Sequence, residues 1–154
     1  MNRNSRSKVL VGGLGVDDGG EVSVGNVGAT LPRRVAFTLT RDNFSGTAGA
    51  VGTAVFGTIP AQARFDHISV TGGTGFLGNG SALISFGDGS DVDRYNLAGS
   101  INVFGTAANG YNFGDPSGTR YHTAAGTLTA QLRGTSAIAN ITGGTITGYY
   151  SYWF

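Results

Sequence analysis

Lys8 is the only lysine in this chain and Glu21 its only glutamate, against 28 glycines. That imbalance constrains the fold more than any other feature. An amphipathic surface helix needs Lys, Glu and Arg on its wet face, and each interior glycine costs it about 1 kcal/mol relative to alanine. Charged residues make up 12% of the 154 positions, too few to supply several such faces. Apolar residues make up 40%, enough for a real core in a single domain. The core must therefore be built from strands joined by tight turns.

The apolar pattern has the strand period. "RRVAFTLTR" alternates, with Val35, Phe37 and Leu39 on one face and Arg34, Ala36, Thr38 and Thr40 on the other. Further strand runs are "GTAVFGTIP", "ARFDHISVT" (Phe65, Ile68 and Val70 apolar), "SALISF", a short "GSINVFG" and "GTLTAQLRG". The closing "TITGYYSYWF" sets Ile146, Tyr150, Tyr152 and Phe154 on one side and Thr145, Thr147, Tyr149, Ser151 and Trp153 on the other. "SAIANITGG" reads either as another strand or as a broad loop. Turn signals such as "DNFSG", "IPAQ", "GGTG", "GDGSD" and "GDPSG" separate the runs. Short alternating strands at this spacing predict an all-β fold, an antiparallel β-sandwich of jelly-roll-like form, over residues 32–154. Residues 1–31 lack the pattern apart from "EVSVGNVGATL", and predict an extended N-terminal arm.

Composition narrows the function classes. A net charge of +1 argues against a general nucleic-acid binder. The absence of cysteine removes disulfide frameworks and thiolate metal sites. The basic start is followed by only "VLV" as an apolar run, too short for a signal-peptide core or a membrane span. The expectation is a soluble protein made in a cytoplasm, with no membrane and no nucleic-acid partner.

Two glycine-rich stretches imitate ligand sites. "VTGGTGFLG" satisfies G-x-G-x-x-G through Gly73, Gly75 and Gly78, follows a strand run, and resembles the cofactor loop of extended short-chain dehydrogenases and epimerases. That loop works only when a helix follows, pointing its first N–H groups at the phosphates. Here Asn79–Gly80 and the strand-like "SALISF" follow, and no lysine stands downstream for the Tyr-x-x-x-Lys pair of such enzymes. The glycines are expected to bend a β-connection and to bind no cofactor. "GDGSDVDR" gathers Asp88, Asp91 and Asp93 as calcium loops do, but lacks the distal glutamate and flanking helices of an EF-hand. The expected reading is a turn whose Asp side chains accept backbone N–H bonds, with Arg94 pairing locally and no metal.

Nothing in the pattern argues for catalysis. His67 and His122 lie far apart in sequence, with no second His or Cys nearby to complete a metal set. Asp66–His67 with a serine spells a triad on paper, yet no strand–turn–helix elbow surrounds any serine. The aromatic tail suits a buried strand or an interface better than a sugar platform. "NGYNFGD" predicts an exposed loop, with Tyr111, Asn112 and Phe113 as contact candidates.

From residue 33 onward the chain resembles small structural proteins of tailed bacteriophages. The resemblance rests on "TIPAQARFDHISVTGG", "SALISFGDGSDVDRY", "RYHTAAGTLTAQLRG" and "GTITGYYSYWF". Members share an "IPA"-type entry to a strand, a strand ending in S-x-G-D-G-x-D-x-D-R-[YF] (residues 85–95 here), a Y-x-x-A-x-T-[LIV]-T strand and an aromatic end. The resemblance implies a capsid decoration (cement) protein on the head exterior of a virion. It would be a homotrimer that bridges neighbouring copies of the major capsid protein. Arg3, Arg6 and Lys8 on the arm would then contact the capsid. The competing implication is a head-fibre or tail-fibre module that binds a receptor or glycan through its loops.

Overall fold

The computed structural model describes residues 9–11, 14–16, 22–24, 32–46, 48–78, 80–96, 100–105, 110–115 and 120–154. The chain divides into two compact units, Met1–Leu31 and Pro32–Phe154. In the first, β1 (Val9–Val11), β2 (Leu14–Val16) and β3 (Val22–Val24) pair antiparallel in that order. The stretch read as an arm thus contains a small meander. Arg3, Arg6 and Lys8 lie outside the described residues.

The second unit is an antiparallel β-sandwich. One sheet holds β4 (Arg33–Thr40), β12 (Thr145–Trp153) and β6 (Ala63–Gly73) side by side. The far edge of β6 is shared in succession by β10 (Arg120–His122) and β9 (Tyr111–Gly114). The other sheet runs β5 (Val51–Ile59), β11 (Gly126–Gly134), β7 (Ala82–Gly87), β8 (Ile101–Asn102). The chain crosses between sheets from β4 to β5, β5 to β6 and β6 to β7. This alternation is why each strand run carries a single apolar face. Between β11 and β12 the ambiguous "SAIANITGG" forms a loop with one 3₁₀ turn, Ile138–Asn140, which buries Ile138.

The core is the inner faces of the two sheets. Leu39, Phe65, Ile68, Val70, Ile84, Phe86, Leu128, Leu132 and Ile146 are buried there. Each such side chain contributes about 1.5–3 kcal/mol through burial. Rings tie the layers together: Phe37 lies 4.7 Å from Phe56, and Phe86 lies 5.2 Å from Phe113. The closing strand divides mostly as its period predicts: Ile146, Tyr150 and Tyr152 are buried, and Tyr149 and Trp153 are half-covered on the opposite side, but Phe154 at the strand end is exposed and Ser151 is fully buried.

Two departures from simple alternation shape the surface. In β6 the pairing with β12 slips between Ser151 and Tyr152, so Asp66 and His67 together face Ser151. A β-bulge of this kind lets two consecutive side chains emerge on one face. The second departure is "NGYNFGD", expected as an exposed loop. Its residues 111–114 form strand β9 instead, with Tyr111 and Asn112 exposed but Phe113 buried against Phe86. The alternation Tyr111–Phe113 is short and sits among glycines and asparagines, which masks a strand. Among the described residues no helix is long and apolar enough to cross a membrane.

Candidate functional site

The β6 bulge brings together the one Ser–His–Asp group in the described sandwich that resembles catalytic machinery. Ser151 Oγ donates to Asp66 Oδ2 at 2.8 Å and lies 3.1 Å from His67 Nδ1, and Asp66 Oδ2 is 2.8 Å from the same nitrogen. In a nucleophilic triad the carboxylate steadies one ring nitrogen while the serine hydroxyl addresses the other. Here serine and carboxylate both meet Nδ1. The hydroxyl has no path across the ring, and Ser151 is fully buried. The three groups form a closed polar knot that pins the bulge. The sequence spells Asp66–His67, but nothing in it marks Ser151, 84 residues on, as the partner.

A second polar cluster lies where the β7–β8 connection meets β10. Asp88 is its hub. Asp88 Oδ1 accepts from Ser90 Oγ (2.8 Å), Asp91 N (3.0 Å) and Ser90 N (3.2 Å). Asp88 Oδ2 faces Arg94 Nε at 2.6 Å and Arg120 Nη1 at 3.3 Å. Burial works to raise the Asp88 pKa. The Ser90 hydroxyl, the Asp91 N–H, the Arg94 charge and the Ser90 N–H outweigh it, leaving the carboxyl below its usual 3.8. Arg120 also stands 3.8 Å from the buried carboxylate of Asp115. The turn therefore has the predicted form, with its carboxylate turned onto backbone amides and arginines. Among the described residues no three His, Asp or Glu side chains converge on a metal position.

Beneath the hub, Tyr95 is carried into the core because its N–H bonds Phe86 O at 3.1 Å and its ring packs 4.6 Å from Phe65. Its hydroxyl is buried with no hydrogen-bond partner among the described residues. Burial first, and then the Asp88 charge, push its pKa up to about 12. His122 is buried alongside, with Nε2 likewise unpartnered among the described residues. Burial, then the Arg120 charge, hold its pKa below the usual 6.5, against the opposing pull of Asp88 and Asp115. Gly126 lies under the imidazole, where a Cβ would stand 2.4 Å from Nδ1. An open recess of about 260 Å³ lies over this cluster, lined by Asp88, Arg120 to Gly126.

"VTGGTGFLG" occupies a third place. Its amides are engaged: Gly75 N donates to Thr145 O at 3.1 Å, Phe76 N to Val103 O at 2.8 Å and Leu77 N to Gly143 O at 3.1 Å. These N–H groups are the ones a phosphate would need, and they stitch the run to the β8 and β12 ends instead. Phe76 is fully buried, and Leu77 is half exposed.

The outer face of the β6–β12–β4 sheet is the last candidate. Directly opposed residues point to the same side, so Tyr121, Arg64 and Trp153 form one cross-strand row and Ser151 and Arg34 share the next. The Arg34 guanidinium lies 4.7 Å over the Tyr149 ring, and the His67 ring meets Tyr149 edge-on at 5.7 Å. Tyr121 is exposed and its hydroxyl bonds Gln62 Oε1. The sequence placed Tyr149 and Trp153 on this side. It did not show that β10 would add Tyr121 beside them.

No protein-family model matches the chain. No curated protein matches it in sequence. Among solved structures it is similar in fold to a chain of the cyanophage Pam1 capsid asymmetric unit, with a TM-score of 0.51 at 13% identity. The match covers 84% of this chain and 89% of that one, so the two are of closely similar length.

Proposed function

We propose that this chain is a bacteriophage virion structural protein, a capsid decoration (cement) protein that binds and bridges major capsid subunits on the head exterior. One observation carries the reading: a chain of the same sandwich fold and nearly the same length stands in a phage capsid asymmetric unit. The strand-and-turn resemblance over residues 33–154 points the same way and is independent of that comparison. The polar geometry suits a binding protein. Ser151, His67 and Asp66 close on one another, and Asp88 anchors a turn. The protein acts by adhesion, through many moderate contacts repeated around the shell and strengthened by trimer avidity. The N-terminal unit, with Arg3, Arg6 and Lys8, adds contacts to the shell.

The test is co-sedimentation of the purified full chain with heads of the encoding phage that lack it, together with its mass in solution. Saturable binding by a trimer is expected. Binding to host cells with none to heads would overturn the reading in favour of a receptor-binding fibre module. Removing residues 1–31 should weaken head binding and leave the sandwich folded. Full-affinity binding by the truncated chain would remove the arm from the account.

A further inference from the structure

We infer that the outer face of the β6–β12–β4 sheet, centred on Arg64 and Trp153, is a docking surface for an acidic protein surface. The inference rests on the proposed function only for the identity of that partner, the capsid shell.

Among the described residues the ion pairs are Arg41–Asp42, His67–Asp66 and the set around Asp88, in which Arg94 and Arg120 meet Asp88, Asp91 and Asp115. Arg34 and Arg64 take part in none of them. Both are exposed on the same sheet face. Asp66, the acid on that face, has Oδ2 taken by Ser151 and His67. Among the described residues, then, neither guanidinium group of this face is paired with a carboxylate.

Its rings make the case specific to a partner surface. Trp153 lies beside Arg64, Tyr121 flanks Arg64 on the other side, and Tyr149 supports Arg34. Arginine, tyrosine and tryptophan are the residues enriched at interface cores and at energetic hot spots. The contact of the Arg34 guanidinium with the Tyr149 ring restricts the side chain in advance, so less entropy is lost when its N–H groups meet a carboxylate. A protein carboxylate surface fits better than nucleic acid. Phosphate-backbone binding draws its strength from many cationic contacts, whereas this face offers two on a chain of net charge +1. The outer face of the opposite sheet differs: Arg133 there donates from Nε to Gln131 Oε1 at 2.8 Å, and its neighbours across the strands are Val51 and Leu83.

Trp153 is the chain's only tryptophan, so its emission reports on this face. The full chain is titrated at low salt with poly-L-glutamate, with duplex DNA and with heads lacking the chain. Wild type, Arg64→Glu and Arg133→Glu are compared after their melting curves show all three folded. The expected result is a saturable change in Trp153 emission with poly-L-glutamate, weakened about tenfold or more by Arg64→Glu and less than about threefold by Arg133→Glu, although both make the same charge change. Equal weakening by the two variants, or no emission change at saturation, overturns the docking face whatever the heads do. An Arg64-dependent response to DNA as strong as that to poly-L-glutamate overturns the protein partner. If poly-L-glutamate behaves as expected and heads do not bind, the face stands and the decoration role fails.

Discussion

The two glycine-rich connections, "VTGGTGFLG" and "GDGSDVDR", look alike in sequence and are held by opposite means. The first is fixed by the absence of side chains. Gly73 and Gly144 adopt φ values of +126° and +117°, and a Cβ on either would fall about 2 Å from a backbone carbonyl oxygen, at 2.1 Å from Thr145 O and 1.9 Å from Gly75 O. The loop and the β12 entry therefore lie backbone to backbone, with the amides of Gly75 and Leu77 spent between them. The second connection is fixed by the presence of one side chain. Asp88 collects two amides, a hydroxyl and two guanidinium groups, and the turn winds around it. A ligand-binding motif and a backbone device can share the same letters. What separates them is whether the amides and carboxylate oxygens are left free.

The comparison predicts its own ranking of damage. Gly144→Ala should be the most severe change, because an L-residue at that φ is strained and its methyl would collide with rigid backbone. A loss of more than about 4 kcal/mol is expected, read as the absence of a cooperative melt or of soluble protein. A variant melting near wild type would show that the close approach of the two loops is dispensable. Asp88→Ala comes next. It leaves two arginines without their shared carboxylate and two turn amides without an acceptor, though the part-exposed arginines recover some hydration. The expected loss is roughly 2–3 kcal/mol by denaturant titration, with the β6–β12 sheet intact.

Much of this was legible before the structure. The β4, β5, β7, β11 and β12 runs follow from period-two alternation, because one face of each strand lines the core; the burial of outward residues such as Ser85, Thr129, Gln131 and Ser151 does not. What stayed hidden depends on contacts distant in sequence. Phe65, Ile68 and Val70 break the period by one residue, and that break is the bulge that turns Asp66 and His67 to the same face. The slip can be read in the letters, but its partner Ser151 cannot. Arg120 reaches Asp88 across 32 residues, and only the folding of β10 onto β6 sets that distance. Strand β9 stays hidden because Asn and Gly around Tyr111 and Phe113 are depleted in strands, and only its pairing with β6 overrides them.

The Asp88 end of the sandwich should also answer to pH, while the glycine-held loop should not. His122 has a folded pKa below its usual 6.5, so folding favours its neutral form. The stability this gives is complete above about pH 6.5, declines as pH falls below that, and is gone once pH passes the lowered folded value. The lowered pKa of Asp88 adds a second loss, beginning below its ordinary 3.8. Melting temperature should therefore fall between pH 7 and pH 5 in wild type (about two pH units spanning the ordinary imidazole range). His122→Gln should flatten that slope. An unchanged slope in the variant would move the pH sensitivity away from this cluster.

The smallest effect is expected at Tyr95, and its sign is the informative part. The ring fills the core against Phe65, while the hydroxyl is buried without a partner among the described residues. Removing a buried hydroxyl that makes no hydrogen bond recovers its desolvation cost and leaves the packing of the ring in place. Tyr95→Phe should then be neutral or stabilising by up to about 1 kcal/mol at pH 7, where most core changes destabilise. The alkaline side gives a second readout. With a folded pKa of about 12 above the ordinary 10.0, Tyr95 favours folding while neutral. That contribution is whole below pH 10 and lost as pH rises toward 12, a decline that Tyr95→Phe should lessen. A destabilised phenylalanine variant at pH 7 would mean that the hydroxyl is hydrogen-bonded, and the cluster would then be held as completely as the glycine loop.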